Sequence, residues 1–215
     1  MKRFWAFYIP YFIFIAALAT LLIINKKADL HLWLSSYHTP FRDVFFKYYT
    51  DFGGSLPFIV AGLLLFYKYR ITLFILVSGL AAGLITHIGK WIYNAPRPKI
   101  FFQENFPDVI LHRVEGVRIH SWHSFPSGHT TAAFSFFLCL AFLTKNKMLQ
   151  FLYLCMAALV GYSRIYLSQH FASDVLAGAI IGGLATTLCY IFIFNKYEMA
   201  WAEGSLRDLI RKKEK

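Results

Sequence analysis

Charged residues are scarce in this sequence, and acidic ones are the scarcest: the 215 residues include 11 Asp and Glu against 22 Lys and Arg. Only three cysteines are present, and their spacing matches no zinc or redox motif, so no disulfide framework is expected. No group of His, Cys and carboxylate residues has the spacing of a metal site either. The sequence therefore predicts a protein without a metal or other cofactor.

Long stretches without any charged residue dominate the chain instead. Apolar residues make up 58% and aromatic residues 19% of it, which is typical of a membrane protein. A helix needs about 20 residues to cross a hydrocarbon core of roughly 30 Å. Six candidate spans meet or approach that length: residues 4–24, 52–67, 71–89, 124–144, 148–163 and 175–195. They predict an all-α, polytopic membrane protein with one six-transmembrane-helix domain over residues 1–215, in which the second and fifth spans are slightly short.

The distribution of basic residues predicts how this bundle is oriented. A net charge of +11 first suggests nucleic-acid binding, but lysines and arginines at the ends of spans explain it better, with anionic lipid as the partner. With a cytoplasmic amino terminus, the inner segments carry the basic residues of 2–3, 68–70, 145–147 and the tail 196–215. We therefore expect a multi-pass protein of the inner membrane with both termini in the cytoplasm. The first apolar run is interpreted as a retained span rather than a cleaved signal.

Two connections on the outer side are long enough to carry function. Between the first two spans, aromatic and aliphatic residues recur at helical spacing, which predicts a helix lying in the membrane interface. They are Phe41, Val44, Phe45, Tyr48 and Phe52. The connection over residues 99–122 has no clear period, and we interpret it either as a loop that covers a binding site or as a plain surface loop.

Three short polar motifs interrupt the apolar sequence, and all three fall on the outer side of the predicted topology. The first contains Lys90 and Arg97 at the exit of the third span. Arginine can hold two phosphoryl oxygens at once, and lysine supplies a compact charge. Pro96 and Pro98 are expected to end the helix near Asn94 and to turn Arg97 back toward the helix end. The alternative is that two cations next to the membrane anchor to lipid phosphate.

The second motif, Pro126-Ser127-Gly128-His129, begins the fourth span. Serine is a favoured helix cap, and glycine lets an anion approach the backbone. The free N–H groups and the positive end of the helix dipole attract phosphate. His129 would lie beside that phosphate, where a protonated imidazole can give its proton to a departing oxygen. An ordinary helix cap with an interfacial histidine is the alternative.

The third motif places Arg164, His170 and Asp174 between the fifth and sixth spans. If this segment is helical, His170 and Asp174 lie one turn apart. The carboxylate can then hold one imidazole nitrogen and leave the other free to attack phosphorus. Arg164 is a candidate third ligand of the phosphate. A His–Asp ion pair that closes the end of the sixth span is the alternative.

Together, the three motifs closely resemble those of the type 2 phosphatidic acid phosphatase superfamily, K-x6-R-P, P-S-G-H and S-R-x5-H-x3-D, and every patterned position is matched. The resemblance covers residues 50–195 or so. The phosphate ligands that it implies are Lys90, Arg97, Ser127, Gly128 and Arg164. It further implies that His170 is a nucleophile that forms a phosphohistidine, that Asp174 orients it, and that His129 is the acid for the leaving group, without a metal.

The resemblance to the bacterial membrane branch implies a lipid phosphatase with its site at the outer membrane surface. The implied substrates are lipid phosphates or diphosphates such as undecaprenyl diphosphate, phosphatidylglycerol phosphate, phosphatidic acid or lipid A. A phosphotransferase that passes phosphate to a second lipid is one competing hypothesis. A transporter or lipid-binding protein that only holds anionic headgroups is another. The sequence leaves the lipid and the oligomeric state open, since Gly178, Gly182 and Gly183 can serve packing within one chain.

Overall fold

The computed structural model describes residues 2–194 and 203–208, and within these ranges the chain is helical with no β-strand. The α-helices of these ranges are α1 (Trp5–Ile24), α2 (Lys27–Leu34), α3 (Pro40–Tyr49), α4 (Leu56–Leu64), α5 (Tyr69–Tyr93), α6 (Pro98–Asn105), α7 (Gly128–Leu143), α8 (Lys147–Tyr166) and α9 (Ala172–Cys189). Short 3₁₀ segments occupy Lys2–Phe4 and Thr50–Gly53, and a π-helical turn, Tyr190–Phe194, follows α9. The all-α prediction is confirmed.

Within the described ranges, four helical segments are long and apolar enough to cross a membrane: α1, α5 with α6, α8, and α9 with the π-helical turn. The fifth predicted span was short in sequence but forms the 20-residue α8, because the helix extends into its polar flanks. In contrast, α7 has 16 residues and α4 has nine. α4 is short because the end of the 3₁₀ segment Thr50–Gly53 and turns at residues 54–55 and 65–67 take up both ends of the second predicted span. The membrane character is confirmed, and the count of six spans stays a prediction.

Helix α7 lies at the centre of the bundle, with α5, α8 and α9 packed around it. Its close contact with α9 depends on two glycines, because small residues let helix backbones approach each other. A Cβ on Gly178 would lie 2.6 Å from the carbonyl oxygen of Ser127, and one on Gly182 would lie 2.4 Å from that of Thr131. These glycines therefore serve packing within the chain.

The two ends of the bundle differ in their residues: one holds an aromatic cluster and the other the polar motifs. At one end the rings of Phe4, Phe74, Phe142 and Tyr190 form a cluster, in which Phe142 and Tyr190 are stacked at 4.1 Å. Residues 203–208 of the tail hydrogen-bond to the connection between α4 and α5 at this same end. The rest of the predicted tail lies outside the described residues. The three polar motifs lie at the opposite end, as the alternating topology predicts.

The helix expected between the first two spans is present as α3. Thr39 caps it, since its Oγ1 accepts a hydrogen bond from the Arg42 N–H at 3.2 Å, and Pro40 occupies the first turn. Phe41 and Tyr48 are 78% and 65% exposed, as an interfacial helix requires. The helix itself is confirmed, and its contact with the membrane stays a prediction.

The connection expected over residues 99–122 is partly helical, which the absence of a clear period did not indicate. Its first residues belong to α6, which Pro98 begins. The reason is a tertiary contact: Phe102 is buried, with its ring 5.6 Å from that of His31, and the neighbouring ring of Phe101 packs edge-on against Phe171 at 5.2 Å. Only the part from residue 106 to residue 123, called the 106–123 loop below, is irregular.

Candidate active site

The three motifs meet at one cavity of about 470 Å³. Six of the eight predicted site residues line it: Lys90, Arg97, Gly128, His129, Arg164 and His170. The other two are buried outside the lining: Asp174 contacts His170, and Ser127 directly precedes Gly128 in the chain. Side chains from α5, α7, α8 and the segment before α9 therefore share a single site.

Asp174 holds the imidazole of His170 in place. Its Oδ2 lies 3.4 Å from His170 Nδ1 and accepts hydrogen bonds from Ser124 Oγ at 2.5 Å and from the Phe171 N–H at 3.0 Å. Because Nδ1 is engaged, Nε2 is the nitrogen available to the cavity. Burial lowers the pKa of His170, and the nearby guanidinium of Arg164 lowers it further, against the opposing effect of Asp174. The ring is therefore neutral, and one of its nitrogens is free of a proton.

This contact arises differently from the helical turn that the spacing suggested. His170 precedes the helix, since α9 begins at Ala172 and Phe171 is its N-cap residue. Asp174 lies at the third helical position and turns its carboxylate back to the Phe171 N–H, which is a capping interaction. The carbonyl oxygen of Asp174 also accepts a hydrogen bond from the Ser127 N–H at 3.0 Å, which ties the second motif to the third.

Arg164, in the last turn of α8, is held in a fixed position and keeps one donor group unpaired within the described chain. Its Nη1 donates to Thr50 Oγ1 at 2.6 Å, while its buried Nε has no hydrogen-bond partner among the described residues. A buried N–H without an acceptor costs about 1–3 kcal/mol, and a phosphoryl oxygen would remove that cost.

Sequence reasoning missed the 3₁₀ segment that supplies Thr50. This segment can lie against the start of α7 only because Gly53 has no side chain. A Cβ there would lie 2.2 Å from the carbonyl oxygen of His129. The neighbouring Gly54 lies close to the same histidine, since its Cβ would come 3.4 Å from His129 Nε2. The pair of consecutive glycines was the available sequence signal.

Arg97 is held from two sides. Its Nε donates to the carbonyl oxygen of Trp122 at 3.0 Å, and its Nη1 donates to the carbonyl oxygen and to Oε1 of Gln169, each at 3.1 Å. Helix α5 ends at Tyr93, and Asn94 adopts a left-handed conformation with φ of 34°. The predicted end of the helix is confirmed, and the bend after it brings Arg97 to the cavity.

Lys90 and Gly128 lie side by side in the wall of the cavity. Lys90 Nζ donates to the carbonyl oxygen of His123 at 2.6 Å, and a Cβ on Gly128 would lie 3.9 Å from Lys90 Cε. Ser127 caps α7 as predicted, since its Oγ accepts from the Thr130 N–H at 3.4 Å. The hydroxyl of Ser127 is therefore used at the helix start, and its predicted contact with phosphate stays a prediction.

Further polar residues that sequence reasoning did not assign to the site also line the cavity: Lys47, Asp51, Arg118, His120 and Gln169. Arg118 and His120 belong to the 106–123 loop, so this loop forms part of the cavity wall. Gln169 holds the loop there, because its Nε2 donates to the carbonyl oxygen of Arg118 at 3.0 Å. Apart from Asp51, the charged groups in the lining are positive, which suits an anionic ligand.

Comparison with known protein families identifies the family of this chain. The PAP2 superfamily matches residues 71–198, which include all three motifs. The chain belongs to the PAP2 superfamily. Among its relatives, the lipid A 4'-phosphatase of Porphyromonas gingivalis is 31% identical over 165 residues, which cover 74% of this chain and 70% of the relative. Lipid phosphate phosphatases of Arabidopsis thaliana also match, and the PAP2 chain spans about half the length of these relatives.

Solved structures of similar proteins share the fold. The crystal structure of LpxE from Aquifex aeolicus matches with a TM-score of 0.66 and 25% identity, over 77% of this chain and 95% of that chain. A transmembrane PAP2-type phosphatidylglycerolphosphate phosphatase from Bacillus subtilis matches with a TM-score of 0.61 and 26% identity, over 93% of this chain and 100% of that chain. The helical bundle of this PAP2 chain is therefore that of known bacterial PAP2 proteins.

Proposed function

We propose that this PAP2 chain is a membrane lipid phosphatase that hydrolyses a lipid phosphate or diphosphate. The observation that carries the proposal is the single cavity where His170, with Asp174 behind it, meets three fixed cations. The names of its relatives support the substrate class. They include the lipid A 4'-phosphatase already described, an undecaprenyl-diphosphatase of Bacillus subtilis and the phosphatidylglycerolphosphate phosphatase of the same species.

In the proposed first step, His170 Nε2 attacks the phosphorus, so that a P–N bond forms and the P–O bond to the lipid breaks. Asp174 stabilises the positive charge that the ring acquires. Lys90, Arg97 and Arg164 stabilise the negative charge on the phosphoryl oxygens. Binding of the anionic phosphoryl group favours protonation of His129, which lies among the three cations. His129 then gives this proton to the departing oxygen, so the lipid leaves as an alcohol or a lipid monophosphate.

In the second step, water attacks the phosphorus and the P–N bond breaks. His129, now neutral, accepts a proton from the water. The products are inorganic phosphate and the neutral His170 ring. We expect both steps to proceed in the presence of a chelator, because fixed cations supply the positive charge that metal ions supply in other phosphatases.

A second cavity supports a lipid as the part of the substrate that does not react. It has a volume of about 230 Å³ and shares Lys90 and Gly128 with the catalytic cavity. From there it continues between α4, α5 and α7 past Phe58, Gly83 and Ala132. A Cβ on Gly83 would meet nothing within 4 Å, so the wall is open at this point. A lipid bound here would place its phosphate among the cations and its chain along the apolar helices.

We further propose that α1, the segment 52–67 that contains α4, and helices α5, α7, α8 and α9 cross the bilayer, and that α3 lies in the interface. The exposed aromatic residues of α3 support its place at the surface. The end with the catalytic cavity faces the periplasm or the exterior, and the end with the basic tail faces the cytoplasm. At that cytoplasmic end, Lys68 and Arg70 form ion pairs with Glu203 of the tail.

The proposal is tested by measuring phosphate release from a panel of lipid phosphates and diphosphates, with the purified protein in detergent and chelator. We expect release from at least one lipid, and near-complete loss in a His170→Ala variant that still elutes as a folded protein. Product analysis identifies the acceptor: free phosphate supports hydrolysis, and a phosphorylated second lipid would show a phosphotransferase instead. Unchanged turnover in His170→Ala would refute the mechanism.

A further inference from the structure

Three possible metal ligands meet outside the catalytic cavity, where α3 contacts the 106–123 loop. His38 precedes α3, Asp43 lies in its first turn, and His112 belongs to the loop. One ligand atom from each residue lies within 4.8 Å of the other two. We propose that these three residues bind a transition metal ion of the Zn²⁺ class, which fastens the 106–123 loop to α3. No sequence spacing indicated this site, because the loop residue is 69 positions from Asp43.

The arrangement suits such an ion. His112 Nε2 lies 2.9 Å from Asp43 Oδ2, and His38 Nδ1 lies 3.7 Å from Asp43 Oδ1. The two imidazole rings are stacked, with centroids 3.8 Å apart and planes at 28°. Two imidazole nitrogens and one carboxylate oxygen form a ligand set that zinc accepts, with water in the fourth position. Zinc–nitrogen bonds of about 2.0–2.1 Å require the ligand atoms to move together slightly, by side-chain rotation.

One ligand atom makes no hydrogen bond to the described part of the chain, and its contact with Asp43 Oδ1 at 3.7 Å is too long for one. His38 Nδ1 is buried and has no hydrogen-bond partner among the described residues. A buried polar nitrogen without a partner is unfavourable, and a metal ion would satisfy it. Arg42, a cationic residue next to Asp43 in the sequence, contacts Tyr37 instead of the site. Its Nη1 donates to the carbonyl oxygen of Tyr37 at 3.0 Å, and its guanidinium lies over the Tyr37 ring.

The carboxylate of the site is oriented from behind, as ligands of metal ions usually are. The hydroxyl of Tyr166, at the end of α8, donates to Asp43 Oδ1 at 2.5 Å. Tyr166 is fully buried, so its own position is fixed by packing. This hydrogen bond leaves Oδ2 directed at His112, where the metal ion would replace the direct contact.

A metal ion here would complete the attachment of the loop. Lys47 Nζ already donates to the carbonyl oxygen of Glu115 at 2.9 Å, and Val114 is buried in a small apolar cluster with Phe46. Because this loop also supplies Arg118 to the catalytic cavity, a bound ion would hold one wall of that cavity in a fixed position.

The first test measures zinc binding by equilibrium dialysis of the full chain in detergent, with any affinity tag removed. We expect one zinc ion to be lost in His38→Phe and in His112→Phe, with affinity at least roughly 100-fold weaker, since each change keeps a ring and removes a ligand. His87→Ala, at an exposed position of α5, is the matched control and should bind as the unaltered protein does. Equal binding by the protein and both Phe variants, or no binding at micromolar zinc, would overturn the proposal.

The second test uses trypsin, which can cut the loop after the exposed residues Arg113 and Arg118. Zinc at ten times its Kd should slow this cleavage about tenfold if it binds only the attached loop, and should have no effect in His112→Phe. Tyr166→Phe keeps all three ligands, so it should weaken zinc binding by about 10- to 100-fold rather than abolish it. A cleavage rate that zinc does not change would contradict the attachment. Both tests are independent of turnover and hence of the phosphatase proposal.

Discussion

Replacing Asp174 by Asn would remove a charge next to His170, the proposed nucleophile, and keep the shape of the side chain. His170 Nδ1 lies 3.4 Å from Asp174 Oδ2, and both residues are buried. The ring becomes positive as Nε2 bonds to phosphorus, and the carboxylate stabilises that charge. At this distance and an effective dielectric constant of about 20, a pair of unit charges is worth about 5 kcal/mol. We therefore expect kcat to fall by about 10³- to 10⁴-fold.

The assay measures kcat and KM for phosphate release and follows the phosphohistidine by rapid quench. We expect KM to change by less than about threefold, because Asp174 does not line the cavity and supports only the reacting state. Ser173→Ala is the matched control. The Ser173 hydroxyl contacts Oδ1 of the same carboxylate at 3.2 Å, so its loss leaves the three contacts of Oδ2 in place. This variant should remain close to the unaltered protein in kcat.

Two results would refute the reasoning. If Asp174→Asn kept more than about a tenth of kcat, the carboxylate would contribute less than about 1.4 kcal/mol, far below the electrostatic value. If instead KM rose while kcat stayed the same, the residue would act in substrate binding, and the assignment of His170 as the nucleophile that it supports would fall with it.

Three further predictions follow from particular contacts. Gly53→Ala should cost about 1–3 kcal/mol of stability and reduce activity, because the new Cβ would meet the carbonyl oxygen of His129. The control Gly62→Ala, in open space, should change neither stability nor activity. Thermal unfolding measures the stability, and phosphate release measures the activity. Burial lowers the pKa of His31 to about 4, so at pH 5 this imidazole is protonated in the unfolded state and neutral in the folded state. The free energy of unfolding should therefore fall by about 2 kcal/mol between pH 7 and pH 5 because of His31. Chemical denaturation at both pH values should show a smaller loss in His31→Phe. Arg97→Lys loses a guanidinium held from two sides and should lower kcat/KM about 100-fold; equal kcat/KM would exclude it as a phosphate ligand.

The sequence by itself determined the helical class, the membrane character and the family to which the three motifs belong. Long apolar runs without charge indicate membrane helices, because the preference of a side chain for hydrocarbon over water depends on its residue type. Helix ends were also predictable, since caps and breaks act over a few residues. Ser127 caps α7, and the prolines after Asn94 prevent α5 from continuing. The alternation of spans then placed all three motifs at one end of the bundle.

Only the tertiary structure decided which groups touch. His170 meets Asp174 through a helix cap rather than a helical turn. Arg164 contacts Thr50 because a glycine allows a 3₁₀ segment to lie against α7. The cluster of His38, Asp43 and His112 joins segments that share no local pattern. Such contacts depend on how distant segments pack and on which polar groups are buried without a partner. The residues that neighbour each group in the sequence do not specify either of these.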